Sequence, residues 1–152
     1  MSVGGAVVVR DATVDDVPAV VGLLNQLSLA GEVREAADVG AYVCAFNDIV
    51  AAGHAVVVVE EAGVVVACAT MMVLPNLSHG GRPVAQLESV VVDVAVRGRG
   101  VGAVLVDACL ARARDAGCFR AQLTSNHARG DAHRFWAARG FVASHQGFKR
   151  PL

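Results

Sequence analysis

The chain has 152 residues and a formal net charge of -1, and 55% of its residues are apolar although only 5% are aromatic. That length corresponds to one ordinary domain, so we expect a single domain over residues 1–152 that buries a core without disulfides or metals. A nearly neutral chain has no overall basic field, so neither nucleic acid nor a membrane is predicted as a partner.

Four cysteines, Cys44, Cys68, Cys109 and Cys118, lie far apart and lack the spacing of metal ligands. We expect them to be buried free thiols, and we predict no metal site. The first apolar run, residues 6–9, is too short for the core of a signal peptide. No apolar stretch reaches the roughly 20 residues that span a bilayer. A cytoplasmic protein is therefore expected.

The first half of the chain predicts a strand, two helices and a hairpin. A strand over about 6–10 precedes a helix, and a second helix over about 33–51 ends near Gly53. Two β-branched runs, 55–60 and 64–73, are joined by three residues that include a glycine, as in a hairpin. The first helix has these apolar residues at helical spacing: Val17, Val20, Val21, Leu24 and Leu27.

The second half predicts strands that alternate with helices. Its predicted elements are a loop over 75–83, a strand over 84–92, a helix from 101 to about 117, a strand over 119–123, a helix over 127–139 and a last strand from 141. This alternation predicts a mixed α/β fold in which one central sheet has helices on both faces.

A glycine-rich run over residues 97–102, with the letters RGRGVG, follows the valine-rich strand and opens a helix. Alternating glycines leave the main-chain N–H groups accessible, and the positive end of the helix dipole lies at the same place. Two arginines in the run add donors that suit phosphate oxygens. The run therefore predicts a phosphate-binding loop.

Two familiar nucleotide-binding loops fit this run poorly. A Walker loop requires a lysine before Ser or Thr, and the run has none. The dinucleotide fingerprint G-x-G-x-x-G/A fits Gly98, Gly100 and Ala103, but the strand that follows the helix carries no acid at its end. We therefore discard the first interpretation and give little weight to the second.

The glycine run and two other segments resemble the GNAT acyltransferase superfamily. The pattern R-x-x-G-x-G over 97–102 resembles the family's coenzyme A pyrophosphate loop, Q/R-x-x-G-x-G/A. Residues 132–141, AHRFWAARGF, resemble its A-x-x-F-Y-x-x-x-G-F segment, and residues 9–16 resemble its N-terminal strand and turn. The resemblance spans nearly the whole chain in the family's order. It implies the GNAT fold, with a mostly antiparallel sheet, and acetyl-CoA as the donor.

The resemblance also implies which residues contact the donor. The pyrophosphate is expected at Arg97, Gly98, Arg99, Gly100, Val101 and Gly102. The pantetheine arm is expected to pair with the backbone of Val90, Val91 and Val92, whose N–H groups can polarise the thioester carbonyl. Arg129 stands where many relatives have an asparagine that contacts the arm, and Asn126 is near enough to compensate. Trp136 is expected to pack against the pantetheine or the core.

Glu88 is the candidate catalytic base. An amine with an ordinary pKa of about 10 is mostly protonated at neutral pH and must lose a proton before it attacks a thioester. Glu88 lies nine residues before Arg97, where many GNAT members have a catalytic or substrate-binding carboxylate. Trp136 replaces the tyrosine that is the usual general acid, and an indole N–H is no usable acid. Water, Ser125, His127 or His133 can substitute, or the thiol can leave without a strong acid.

The sequence thus predicts an N-acetyltransferase that moves an acetyl group from acetyl-CoA to a primary amine, by direct attack. Segments 131–135 and 144–148 most resemble members that acetylate small amines, among them aminoalkylphosphonates and amino-sugar phosphates. Arg129 or Arg134 can meet a substrate phosphate, and His79 and His145 are weaker pocket candidates. The alternatives are a coenzyme A-binding regulatory module without turnover and a protein N-terminal or lysine acetyltransferase. A homodimer is left open.

Overall fold

The computed structural model describes residues 5–27 and 38–152. In these ranges one five-stranded sheet has its strands in sequence order, and the first four are antiparallel. The fifth strand pairs with the fourth in parallel. The strands are β1 (Val7–Asp11), β2 (Ala55–Glu61), β3 (Val64–Leu74), β4 (Val84–Val92) and β5 (Arg120–Gln122).

Within the described ranges, four α-helices surround this sheet: α1 (Val17–Asn25), α2 (Val39–Ala51), α3 (Val101–Asp115) and α4 (Gly130–Ala138). Asp38 caps α2, because its Oδ1 accepts a bond from the Gly40 N–H at 3.1 Å. Gly53 follows α2 with a φ of 79°, which confirms the predicted helix end. None of these helices is long and apolar enough to cross a membrane.

The β2–β3 hairpin turns through Ala62 and Gly63, whose φ angles are 51° and 81°. Positive φ at both central residues is typical of the two-residue turn that matches the twist of paired strands. Glu61 and Val64 are therefore the last pair of the ladder. The predicted hairpin is confirmed, but its connection has two residues rather than the predicted three, because Glu61 belongs to β2.

The core has two apolar layers, one on each face of the sheet. On one face, α3 packs through Leu105 and Cys109 against β2, β3 and β4, where Leu87 is 2% exposed. On the other face, Leu23 of α1 packs against Val58 and other buried residues of β3 and β4. Helices thus cover both faces, as predicted from the alternation of elements.

Two of the four free cysteines are buried, as predicted, and the others are not. Burial raises the pKa of Cys68 to about 12 and that of Cys109 to about 11, so both thiols stay protonated at neutral pH. Cys118 is half-buried, and Cys44 is exposed on α2. The prediction that all four are buried is therefore wrong for Cys44, which lies on a helix with no fully buried residue, and only partly right for Cys118.

The predicted last strand is absent from the described structure. Residues 141–152 contain no helix or strand, and Val142 and Phe148 are 82% and 90% exposed. The described sheet ends at β5, which pairs with β4 for only three residues, and no residue after 140 joins a ladder. The start predicted for the second helix, residues 33–37, lies outside the described residues, and the described helix begins at Val39.

Candidate active site

A bulge in β4 changes which residues of that strand face each side of the sheet. Cys68 of β3 lies opposite Val91 and Thr70 lies opposite Glu88, so β4 has one extra residue between these pairs. Ser89 occupies the bulge with a φ of 52°. Before the bulge, Leu87 packs on the α3 side, and after it Val90 and Val92 do so.

Strands β4 and β5 separate immediately beside this bulge. Their parallel ladder covers only Val84 to Gln86 on β4, and β5 ends at Gln122. From Leu87 onward the edge of β4 is therefore not paired with β5. Unpaired strand edges bind extended chains that carry amide groups. This is where the predicted residues Val90, Val91 and Val92 lie, although Val91 itself is buried in the α1-side layer.

The three glycines of the 97–102 loop have two different roles. Gly98 and Gly100 have φ angles of 78° and 84°, which side chains strongly disfavour. Gly102 has an ordinary helical backbone, but a Cβ there would lie 3.3 Å from the Phe135 ring and 3.3 Å from Cγ2 of Val92. Close packing against Phe135 and Val92 therefore favours glycine at 102, independently of any anion.

The start of α3 has the free donors that an anion site needs. Residues 97 and 98 form a hydrogen-bonded turn, whereas the backbone N–H groups from residue 100 to residue 103 have no acceptor in the described part of the chain. These groups lie at the positive end of a 15-residue helix. The start of α3 thus has the donors and the positive dipole end that an anion site needs, and binding of the coenzyme A pyrophosphate there stays a prediction.

The two arginines of the loop are held by the protein. Nε of Arg97 donates to the Val92 carbonyl at 3.0 Å, which ties the loop to the end of β4. Arg99 forms an ion pair with Glu61 of the β2–β3 hairpin, with a shortest distance of 2.6 Å. Arg99 thus supports the loop from the side, and part of its charge is neutralised by Glu61.

A cleft of about 260 Å³ opens between β4 and the chain that follows β5. Glu88 and Ser89 line it from β4, and Trp136 lines it from α4. Its other lining residues are Leu27, Leu87, Val90, Leu123, Thr124, Ser125, Asn126, Arg129, Ala132 and Lys149. The predicted base, the predicted arm-binding strand and the predicted tryptophan therefore meet in one cleft.

Trp136 is anchored in an aromatic cluster at the wall of this cleft. Its ring meets Phe135 edge-on at 5.0 Å and Phe141 at 5.2 Å. Phe135 in turn contacts the start of α3 at Gly102. The cluster thus connects the wall of the cleft to the glycine loop, and it fits the expectation that Trp136 packs rather than transfers a proton.

Asn126 and Arg129 also lie at the cleft, beyond the end of β5. The Asn126 Oδ1 accepts the Ala128 N–H at 2.9 Å and so fixes the local turn, while its Nδ2 has no recorded partner in the described residues. Arg129 donates to the Leu27 carbonyl, two residues beyond the end of α1. Of the predicted acid substitutes, Ser125 lines the cleft, whereas His127 and His133 do not.

The histidines considered for substrate binding lie elsewhere. His79 stacks on Phe119 at 3.9 Å, beside the start of β5, and His145 contacts Ser144 on an exposed segment. Neither borders the cleft, and neither does Arg134, which pairs with Asp131. Conversely, Lys149 lines the cleft although no motif in the sequence singled it out.

Comparisons with known proteins agree with this geometry. The family model described as Acetyltransferase (GNAT) family matches residues 25–141. The chain belongs to the GNAT acetyltransferase family. It is accordingly an N-acetyltransferase that uses acetyl-CoA, and it has the five-stranded mixed α/β fold of that family.

Two curated relatives of this GNAT protein have sugar-phosphate names. A glucosamine 6-phosphate N-acetyltransferase of Trypanosoma brucei brucei is 36% identical over 67 residues, which are 44% of this chain and 46% of that one. A probable glucosamine 6-phosphate N-acetyltransferase 2 of Oryza sativa subsp. japonica is 30% identical over 128 residues, 80% of this chain and 73% of that one.

Among solved structures, a transcriptional regulator from Bacillus halodurans C-125 superposes with a TM-score of 0.89. It is 33% identical, and the match covers 97% of this chain and 100% of that chain. The arrangement of strands and helices in this GNAT protein is thus found in a relative of nearly the same extent.

Proposed function

We propose that this protein acetylates the primary amine of a small molecule that also carries a phosphate or phosphonate group. The observation that supports this is the set of charges in the cleft, where Glu88 shares one space with Arg129 and Lys149. Within the described ranges, Glu88 is the one carboxylate that lines the cleft.

The negative and positive side chains of the cleft suit two different groups of a substrate. A carboxylate attracts an ammonium group and can take a proton from it, which makes the nitrogen nucleophilic. Two cationic side chains attract a phosphorus oxyanion, and arginine matches its geometry with paired donors. A substrate with an amine at one end and a phosphate at the other satisfies both requirements.

The donor would lie along the unpaired edge of β4, with its pyrophosphate at residues 98–102. Acetyl-CoA supplies the acetyl group as a thioester. Backbone N–H groups of Val90 to Val92 would hold the carbonyl end, and Trp136 would limit the entry of water from the α4 side. Glu88 would hold the acceptor amine beside them and accept its proton.

The names of the curated relatives support this choice of acceptor. Glucosamine 6-phosphate, which both printed names contain, combines an amine with a phosphate in one small molecule. The resemblance of segments 131–135 and 144–148 to aminoalkylphosphonate and amino-sugar-phosphate enzymes points to the same pair of groups.

The test compares amines in matched pairs, by release of the coenzyme A thiol. We expect glucosamine 6-phosphate and 2-aminoethylphosphonate to give kcat/KM values about 100-fold above those of glucosamine and ethylamine, because the charge pairs form in a partly desolvated cleft. Equal values within each pair would contradict the phosphate preference. Faster turnover of a peptide amine would favour a protein acetyltransferase, and acetyl-CoA binding without turnover of any amine would favour the regulatory module.

Substitutions in the cleft identify the cations responsible. Lys149→Met and Arg129→Met should raise KM for the phosphorylated amine and leave that for its uncharged counterpart unchanged. Arg134→Met is the matched control, because Arg134 is exposed on α4 and pairs with Asp131 outside the cleft. If the control changes KM as much as Lys149→Met does, the cleft cations do not bind the phosphate.

A further inference from the structure

A row of four polar side chains crosses from β5 to β4 and ends at Glu88. Gln86 of β4 lies directly opposite Gln122 of β5 in the parallel ladder. Side chains two residues apart on a strand share a face, so Arg120 lies beside Gln122 and Glu88 lies beside Gln86. The pairing of these two strands therefore brings the four side chains into one line.

Each member of the row is hydrogen-bonded to the next. Nε of Arg120 donates to Oε1 of Gln122 at 2.9 Å, and Nε2 of Gln122 donates to Oε1 of Gln86 at 2.9 Å. Nε2 of Gln86 then donates to Oε1 of Glu88 at 2.9 Å. All three bonds run in the same direction, toward Glu88.

The chemistry of the two ends imposes this direction. A guanidinium group can only donate, so the Gln122 oxygen must face Arg120 and its NH₂ group must face Gln86. An ionised carboxylate can only accept, so the Gln86 NH₂ group must face Glu88. Both ends thus require the same orientation of the two amides, and neither amide can flip without breaking two bonds.

The row is anchored outside the cleft and enters it only at its last member. The Arg120 guanidinium lies 5.1 Å from the centre of the Phe119 ring, which stacks on His79. Of the four side chains, only Glu88 lines the cleft. Within the described residues, Oε1 of Glu88 is bound to Gln86 and no partner is recorded for Oε2.

We propose that Gln86, Gln122 and Arg120 are positioning residues that occupy one oxygen of Glu88 and reserve the other, Oε2, for the substrate amine. This rests on the proposed role of Glu88 as the base. In the step concerned, an N–H bond of the substrate ammonium breaks and an O–H bond forms at Oε2. The electron pair stays on nitrogen, and Oε1 keeps its bond to Gln86.

The first test removes the donor next to Glu88. Gln86→Met keeps the length of the side chain, and we expect kcat to fall about ten- to hundredfold because a mispositioned base costs rate rather than binding. KM for acetyl-CoA should change less than about twofold, since Gln86 does not line the cleft. A kcat within twofold of the parent would overturn the proposal.

A double-mutant cycle distinguishes positioning from a general loss of structure. In a Glu88→Gln background, Gln86→Met should have almost no further effect on kcat, because the carboxylate that it positions is gone. An equal loss of kcat with and without Glu88 would show that Gln86 acts through the strand alone. Thermal unfolding and acetyl-CoA affinity of each variant report whether β4 and β5 remain paired.

A second pair of variants tests the direction of the bonds. Gln122→Glu can still accept from Arg120 but has no NH₂ group to donate to Gln86, so we expect it to lower kcat nearly as much as Gln86→Met. Arg120→Met should lower kcat, whereas Arg114→Met, which removes the same charge from the exposed end of α3, should not. Full activity of Gln122→Glu would contradict a directed row.

The two variants distinguish the role of Glu88 as the base from the positioning role of Gln86. If Glu88→Gln lowers kcat but Gln86→Met does not, Glu88 remains the proposed base and the positioning role of Gln86 is contradicted. If Glu88→Gln leaves kcat unchanged, both the role of Glu88 as base and the positioning role of Gln86 are contradicted. The ¹⁵N resonance of the Gln86 side-chain amide, recorded without substrate, should shift in Glu88→Gln, and an unchanged resonance would also overturn the proposal.

Discussion

The two oxygens of Glu88 have different surroundings, since Oε1 is bound to Gln86 while the side chain borders the cleft that also contains Arg129 and Lys149. A base for an amine needs both a route to substrate and a fixed geometry. Glu88 meets the first requirement because it lines the cleft, and its bond to Gln86 at 2.9 Å supplies the proposed second.

Replacement of the Glu88 carboxylate by an amide should slow the reaction in a pH-dependent way. We expect Glu88→Gln to lower kcat/KM about 100-fold at neutral pH, because general-base catalysis is lost. The loss should shrink as pH rises toward the amine pKa of about 10, where more substrate is already neutral. Rates of thiol release across pH measure this.

The control for Glu88→Gln is donor binding. Acetyl-CoA affinity, measured by titration calorimetry, should match that of the parent because the pyrophosphate loop is intact. An equal loss of rate at all pH values would show that Glu88 binds the substrate without taking its proton.

The roles of single residues differ in how well they could be predicted from the sequence. Gly98 and Gly100 could be predicted, because alternating glycines before a helix have few other uses. The packing role of Gly102 could not, since it depends on Phe135, which lies 33 positions later in the numbering. The positioning role of Gln86 also depends on a distant partner, because Gln122 meets it only through the parallel register.

At the scale of elements, the β-branched runs and the glycine turns predicted the strands within about two residues, because Val-rich segments strongly favour a pleated sheet. The bulge at Ser89 was not predictable, since no glycine marks it. The last strand was wrongly predicted from Phe141 because an apolar start does not supply a partner strand.

The close approach of α3 and α4 at Gly102 predicts the effect of adding a methyl group there. Gly102→Ala should lower the free energy of unfolding by about 1 to 3 kcal/mol, because the new methyl group would press on Phe135 and Val92. It should also weaken acetyl-CoA binding, because the glycine loop moves with the start of α3. Chemical denaturation and calorimetry measure the two effects.

Gly22 of α1 is the matched control. A Cβ there meets nothing within 4 Å, so Gly22→Ala should stabilise the protein by about 0.5 to 1 kcal/mol through helix propensity alone. If both substitutions have the same sign, the contact with Phe135 does not limit the approach of α3.

At the scale of the whole molecule, an ion-pair group connects β1, the start of α1 and β2. Arg10 contacts Asp16 at 2.7 Å and Glu60 at 2.8 Å, and Thr13 donates its N–H to Asp16. The bond from Arg10 is the main reason that the pKa of Asp16 falls to about 2. The N-terminal strand is thereby held to the sheet by charge as well as by its ladder.

This group should contribute stability at neutral pH and lose it in acid. Because the folded pKa of Asp16 lies below its ordinary value of 3.8, the contribution is complete above about pH 4 and is lost as pH falls through 2. Asp16→Asn should therefore lower the free energy of unfolding by about 1 to 2 kcal/mol at pH 7. Thermal unfolding of both proteins at pH 7, 4 and 2 measures the difference.

The two Tm values should converge toward pH 2, because the parent then loses the charge that the variant lacks. Asp15→Asn is the control, since Asp15 is exposed and has no recorded ion pair among the described residues. A constant difference in Tm between pH 7 and pH 2 would contradict an electrostatic role for Asp16.

Because of the bulge at Ser89, β4 cannot lose a residue at this position without a change of register. Because side chains alternate along a strand, loss of one residue at this position would exchange the faces of Val90, Val91 and Val92. Valines that now pack on α3 would turn toward α1, and the loop that follows would leave β4 in the opposite orientation. Deletion at Ser89 is thus far more disruptive than substitution, and the alignment of related chains should show this strand free of gaps.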